Sequence, residues 1–204
     1  RLARLWPDVD GLRLLGYGFA LPYLETCLDR VERAAALMPA PMGVVPWPKP
    51  RPLSVLADDA ALPFPVAFFD RILVIHGIEG AESARILLRG LWRLLAPEGR
   101  ILIVAPNRTS LWAIRECSPF ALGRPFRKGE LDRLLREAMF APVRWEKALY
   151  APPCRGWPPI WMESLGRRIA PGLAGVQIVE ARKSLYAPLT LSPAVETGQS
   201  PALA

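Results

Sequence analysis

Histidine and cysteine are scarce in this chain of 204 residues. The chain has one histidine, His76, and three cysteines, Cys27, Cys117 and Cys154, which are far apart and form no C-x-x-C pair. An odd number of dispersed cysteines argues against a disulfide framework, and one histidine leaves too few ligands for a Cys/His metal site. We therefore expect reduced thiols, no metal and a cytoplasmic protein.

Long apolar runs are also missing. The longest runs, within 71–75 and 100–105, end after a few residues at polar or proline positions, whereas a membrane-spanning helix needs about 20 apolar residues. The first residues show no charged segment followed by an apolar one, as a leader would. We expect neither a membrane span nor secretion.

Acidic residues are fewer than basic ones, which gives a net charge of +7. Such an excess can serve nucleic-acid binding, because Lys and Arg neutralise phosphates. Here the arginines are scattered over predicted helix faces instead of forming one block. We therefore expect no nucleic-acid partner; the alternative, a basic RNA- or DNA-binding module, requires one contiguous positive face.

Short apolar segments alternate with segments of helical periodicity, which is typical of βαβ units and a mainly parallel sheet. The pattern predicts one α/β domain over residues 1–190 and a disordered tail over 191–204, where Ser, Pro, Ala and Gly predominate. The predicted strands are 11–15, 34–38, 53–57, 71–76, 100–105, 143–150 and 176–185.

Three helices are predicted from apolar stripes. The first follows strand 1 and carries Leu24 and Val31 on one face, the second runs from Ala84 to Leu95, and the third covers about 129–140. The connection 39–52 contains too many prolines for an interior helix, so the helix after strand 2 should be short or absent. A further short helix is expected within the aromatic insertion 152–168.

A glycine pair, Gly16 and Gly18 with Tyr17 between them, follows the first predicted strand. Glycine lets a ligand approach backbone N–H groups at the start of a helix. An ordinary tight turn is the alternative, because a lone G-x-G is a weak signal.

Two longer motifs resemble a known family. Asp58-Asp-Ala-Ala-Leu-Pro-Phe64, followed by Phe-Asp70 and an apolar strand, and the junction Leu94–Val104 closely resemble class I S-adenosylmethionine-dependent methyltransferases of the type-11 group. The resemblance covers roughly residues 10–140. It implies a Rossmann-like fold with seven strands, strand 7 antiparallel between strands 5 and 6, and S-adenosylmethionine bound at the carboxyl ends of the first strands.

The resemblance also implies residue roles. The segment Gly16–Gly18, including Tyr17, would lie against the methionine portion and ribose of the cofactor. Asp58 would accept a hydrogen bond from the adenine amino group, with Asp59 as the close alternative. His76 would line the pocket near the sulfonium, unless it is a loop histidine satisfied by its own neighbours.

Two departures from the family pattern concern acidic positions. The family has an acid two residues before the first glycine, where this chain has Leu14, and another at the end of strand 2, where it has Met38. Met38 is therefore predicted at the cofactor cleft in place of the ribose-binding carboxylate. Loss of such a charge-assisted bond lowers affinity by about one to two decades.

The acceptor side is expected after strand 5. Arg108 and Trp112 lie there and are candidate substrate residues, and Arg124 and Arg127 precede the next helix. The alternative for these arginines is a solvated surface. The tryptophans of the insertion are expected in the core or an interface; they are Trp157 and Trp161.

The leading functional hypothesis is methyl transfer from S-adenosylmethionine to a small-molecule acceptor, driven by proximity and orientation. No Ser/His/Asp or Cys/His arrangement is visible, so no catalytic residue is predicted. The alternative is a catalytically silent methyltransferase fold that acts as a binding or assembly partner. The oligomeric state stays open.

Overall fold

The computed structural model describes residues 2–110, 123–150, 160–169 and 172–185. Its centre is a seven-stranded sheet in the order β3-β2-β1-β4-β5-β7-β6. Neighbours among the first five strands are parallel, and β7 is antiparallel to both β5 and β6. The predicted fold, with strand 7 inserted between strands 5 and 6, is confirmed. The strands are β1 (Arg13–Gly18), β2 (Arg33–Pro39), β3 (Ser54–Ala57), β4 (Phe69–Ile75), β5 (Leu95–Pro106), β6 (Phe140–Ala148) and β7 (Val176–Lys183).

The described helices have between 4 and 11 residues. They are α1 (Leu2–Leu5), α2 (Leu21–Leu24), α3 (Ala84–Leu94), α4 (Lys128–Glu137) and α5 (Ile160–Ile169), with 3₁₀ turns η1 (Glu25–Cys27) and η2 (Ala40–Met42). The expected helix of the aromatic insertion is α5. Its Trp161 side chain, all of Trp157 and the expected tail 191–204 lie outside the described structure.

One face of the sheet is covered by α3 and α4. The apolar stripes of these helices are fully buried on the sheet, and they comprise Leu87, Leu88, Leu91, Leu131 and Leu135. Each such leucine contributes about 1.5–3 kcal/mol through the apolar area it removes from water. Ser83 starts α3, since its Oγ accepts a hydrogen bond from the N–H of Ile86 at 3.4 Å.

The helix predicted after strand 1 forms but is shorter than its apolar stripe indicated. Only one α-turn, α2, forms there, and it tightens into η1. The connection 19–32 must return along a six-residue strand, a distance of about 20 Å. A 3₁₀ turn rises about 2.0 Å per residue against 1.5 Å for an α-helix, so tightening extends the reach of a short connection. The predicted apolar positions still pack, because Leu24 and Val31 join one cluster.

The helix between β2 and β3 is replaced by the proline-rich segment 43–53, as predicted. This segment folds back along β2: the N–H of Ala36 bonds to Leu53 O at 3.0 Å, and the N–H of Leu53 bonds to Trp47 O at 2.6 Å. Trp47 is buried in a cluster with Leu14 and Ala36. The segment therefore covers the sheet face opposite α3 and α4.

Candidate functional site

The glycine pair lies in a strand instead of the predicted loop. β1 continues through Gly18, so Gly16 and Tyr17 are paired with β2 and β4. A Cβ on Gly16 would lie 2.6 Å from Leu24 Cδ1 and 2.7 Å from Ala20 Cβ. The packing of the protein's own side chains therefore accounts for this glycine.

Gly18 marks a close contact between the ends of β1 and β4. It has a φ of +73°, and a Cβ there would lie 2.5 Å from Ile75 O and 3.1 Å from Gly77 Cα. The same Ile75 carbonyl accepts a hydrogen bond from the N–H of Phe19 at 2.7 Å. The two strand ends are thus joined directly, backbone to backbone.

A pocket of about 180 Å³ opens at the carboxyl edge of the sheet. Its walls are formed by the segments that follow β2, β3 and β4 and by the first turn of α3. This edge is where parallel α/β sheets bind ligands. The lining residues are Ala40, Pro41, Asp58, Asp59, Ala60, Gly80, Glu82, Ser83 and Ile86.

Asp58 and Asp59 are thus the two sequence-predicted residues that line the pocket. Asp58 closes a turn, since its Oδ1 accepts the N–H of Ala60 at 2.8 Å and its carbonyl accepts the N–H of Ala61 at 3.0 Å. Asp59 Oδ1 accepts a hydrogen bond from the Tyr17 hydroxyl. The two neighbouring carboxylates consequently have different partners.

The pocket is acidic although the chain as a whole is basic. Asp58, Asp59 and Glu82 line it, and none of the ion pairs formed between described residues includes them. Carboxylates without a cationic partner accept hydrogen bonds and favour positively charged ligands. The electrostatics therefore select a ligand that donates hydrogen bonds or carries positive charge.

His76 lies directly after β4 and does not line the pocket. Its Nδ1 is 3.0 Å from Glu79 Oε1, and its φ of +48° places a non-glycine residue in the left-handed region. Glu79 is buried, and its Oε2 has no hydrogen-bond partner within the described structure. The geometry agrees with the alternative of a histidine satisfied by its own neighbours.

Met38 is near the carboxyl end of β2 but does not line the pocket. It is 7% exposed, and its Sδ accepts the N–H of Val45 at 3.5 Å. Leu14, the other departure from the acidic pattern, packs in the cluster of Trp47. The proline-rich segment therefore covers both positions at which the family has acids.

The candidate acceptor residues are placed only in part. Arg108 is bound to its own chain, because its Nε donates to Pro125 O at 2.9 Å and its Nη2 lies 3.4 Å from Glu130 Oε2. The N–H of Arg124 bonds to Glu79 O at 2.9 Å. Arg127 caps α4. Trp112 lies outside the described residues.

Sequence reasoning missed several pocket residues, notably Ser83, Gly80 and Glu82. Ser83 could have been found, because a serine just before an apolar helical stripe is an N-cap signal. The bond between Tyr17 and Asp59 joins residues 42 positions apart, and no local pattern indicates it.

Two features are absent from the part of the chain that the structure describes. No helix in this part of the chain has the length and apolar character needed to cross a membrane. No three His, Cys, Asp or Glu side chains of the described ranges are grouped so that they could hold a metal ion.

Several solved structures with a fold similar to that of this chain are methyltransferases. A SAM-dependent methyltransferase from Archaeoglobus fulgidus matches with a TM-score of 0.64 and 19% identity, covering 90% of this chain and 91% of the other. The complex between the Haloferax volcanii Trm112 methyltransferase activator and a methyltransferase matches with a TM-score of 0.64 and 16% identity, over 88% and 85%. The [4+2]-cyclase SpnF matches with a TM-score of 0.60 and 17% identity, over 91% and 79%.

No family model and no curated protein matches the chain. At identities below 20%, the structural similarities concern the fold, and folds of this kind support more than one reaction. Together with the strand order, they show that the chain has the Rossmann-like fold of the class I S-adenosylmethionine-dependent methyltransferases.

Proposed function

We propose that the protein binds S-adenosylmethionine, with the adenosine portion in the pocket between Asp58 and Ser83, and transfers its methyl group to a small-molecule acceptor. The observation that carries this proposal is the position and charge of the pocket. It lies at the carboxyl edge of β2, β3 and β4 and is lined by carboxylates that have no cationic partner. S-adenosylmethionine brings a sulfonium charge and an amino group that can donate hydrogen bonds.

The adenine end of the cofactor fits the residues present. Asp58 uses Oδ1 within its own turn, which leaves Oδ2 to accept a hydrogen bond from an exocyclic amino group. Ile86 is 54% exposed at the pocket wall and supplies an apolar surface for a ring. A Cβ on Gly80 would meet no atom within 4 Å, so this wall is open.

The ribose and methionine ends fit less well. Position 38 offers a thioether instead of a carboxylate to the ribose hydroxyls, and the contact of Gly18 with Ile75 O occupies the junction of β1 and β4. When bound, the cofactor supplies an activated methyl group, and the chain is required to hold and orient it beside the acceptor. We therefore expect modest affinity for S-adenosylmethionine, because only its adenine end has well-matched contacts.

A second candidate is a catalytically silent fold that acts as a binding or assembly partner. The covering of Leu14 and Met38 by the proline-rich segment favours it, because both positions at which the family has acids then contact the protein's own chain instead of a ligand. The similar structure with a methyltransferase activator shows that a protein of this fold assembles with a partner. The second candidate therefore includes assembly with a partner protein.

Calorimetry with S-adenosylhomocysteine separates the two candidates. We expect the parent protein to bind, and Asp58→Asn to weaken binding about tenfold. The amide oxygen of the asparagine can still accept the N–H of Ala60 in the turn, but its NH₂ group, a donor, then faces the amino group of the ligand, which is also a donor. Asp29→Asn is the matched control, since Asp29 is exposed and does not line the pocket.

A lack of binding by the parent protein would contradict methyl transfer and leave the silent fold. If binding is found, release of S-adenosylhomocysteine from S-adenosylmethionine in the presence of fractionated small molecules tests the reaction and the acceptor class. Turnover only with macromolecular fractions would contradict the small-molecule acceptor.

A further inference from the structure

Tyr17 is a polar residue with no exposed surface, located in the interior strand β1 of the sheet. Its hydroxyl donates a hydrogen bond to the carboxylate of Asp59. Burial raises the pKa of the Tyr17 phenol, and the bond to Asp59 raises it further. The phenol therefore keeps its proton and remains a donor at neutral pH.

The Tyr17 ring is fixed in place by the residues after β4. A Cβ on Gly77 would lie 2.5 Å from Tyr17 Cε1 and 2.6 Å from Cδ1, so the ring occupies the space beside this glycine. The backbone of Tyr17 is paired on both sides, with Leu37 of β2 and Val74 of β4. The position of the hydroxyl is consequently set by the sheet.

The residue that this hydroxyl holds belongs to the pocket. Asp59 lies in the turn 58–61 after β3, next to Asp58, and both line the pocket. Asp58 is exposed, whereas the Asp59 side chain reaches back to β1. The hydrogen bond thus joins a surface turn to the core of the sheet, and surface turns are in general more mobile than strands.

We propose that Tyr17 is a positioning residue: by holding Asp59 it fixes the turn 58–61 over the pocket, so that Asp58 recognises the adenosine portion of the ligand. This inference rests on the proposed function. Of the two adjacent carboxylates, Asp59 is the anchor and Asp58 is the recognition group. Without the anchor, ligand binding would have to order the turn, which costs conformational entropy and therefore affinity.

The test is calorimetric titration of the full chain with S-adenosylhomocysteine and, separately, with adenosine. Tyr17→Phe keeps the buried ring and removes the hydroxyl, and we expect about tenfold weaker binding of both ligands. Asp59→Ala should produce a similar loss. Asp59→Asn should lose less affinity than Asp59→Ala, because its amide oxygen still accepts a hydrogen bond from Tyr17.

The double variant Tyr17→Phe/Asp59→Ala distinguishes positioning from a general loss of structure. If Tyr17 acts through Asp59, the double variant binds no more weakly than either single variant. Tyr23→Phe is the control for tyrosine, since Tyr23 is exposed and does not line this pocket.

Four results would overturn the inference. If the parent binds but Tyr17→Phe binds equally well, the anchor has no role and the proposed function stands. If the losses of the two single variants multiply, or if Asp59→Asn loses as much as Asp59→Ala, Asp59 recognises the ligand by its charge. If the parent binds neither ligand, the proposed function fails, and the inference fails with it.

Discussion

Replacing Gly18 by alanine tests whether the ends of β1 and β4 are in direct contact. Two costs are expected. A φ of +73° is unfavourable for an L-residue by about 1–2 kcal/mol. The new methyl group would also lie 2.5 Å from Ile75 O, and overpacking of this kind costs about 1–3 kcal/mol. Gly18→Ala should therefore lower the free energy of unfolding by about 2–5 kcal/mol.

Gly11→Ala is the matched control. Gly11 has a φ of +67°, close to that of Gly18, but a Cβ there would meet no atom within 4 Å. Only the backbone cost applies, so the loss should be about 1–2 kcal/mol. Equilibrium unfolding in urea measures both values.

Equal losses for the two variants would refute the reasoning. They would mean that the space beside Gly18 accepts a methyl group, so the strand ends would be far enough apart to admit part of a ligand. The outcome thus also decides whether the methionine end of the cofactor has room at this junction.

Three further changes give distinct outcomes. Met38→Asp places a carboxylate at a covered position, so it should lower the melting temperature relative to Met38→Leu, with no gain in affinity for S-adenosylhomocysteine in calorimetry. Lys183 is buried with its Nζ on Leu95 O, and burial lowers the pKa of its ammonium. Between the lowered pKa and 10.5, the folded state therefore binds fewer protons than the unfolded state. The free energy of unfolding of the parent should then rise, relative to that of Lys183→Met, as pH rises through this range. Urea titrations at several pH values measure the difference. The hydrogen bond from Arg13 lowers the pKa of Asp70 below 3.8. Asp70→Asn should reduce the urea midpoint at pH 7, and the difference from the parent should close as pH falls below 3.8; a constant difference would contradict this.

The sheet was predictable because its strands are marked locally. Apolar runs between turn residues located β4 and β5, and the resemblance supplied their order. Strand ends were less certain: β5 begins at Leu95 instead of Arg100, since Pro97 and Gly99 indicated a turn but lie within the strand.

The candidate site was predictable only in part because its geometry depends on distant contacts. Asp58 and Asp59, which the motif marked as cofactor residues, line the pocket, and their contact with a cofactor stays a prediction. The glycine pair was predicted as a ligand loop, but Leu24 fills the space beside Gly16, and this contact becomes visible only when the helix after β1 is placed.

The path of the proline-rich segment was likewise beyond local reasoning. Proline content correctly excluded a long helix, yet it could not show that Trp47 packs with Leu14. The family pattern predicts Met38 at the cofactor cleft, and its place relative to a bound cofactor stays a prediction. The structure places it beneath Val45 and outside the lining of this pocket.

The position of β7 has a consequence for synthesis on the ribosome. Among the described residues β7 is the last strand in sequence, yet it lies between β5 and β6 and pairs with both. Until residues 176–183 have left the ribosome, the edge of β5 has no partner, and an open apolar edge promotes aggregation. The nascent chain can therefore complete its parallel half early, but it cannot close its sheet until translation has passed Lys183, and a stop codon before Val176 would yield a chain with a permanently open edge.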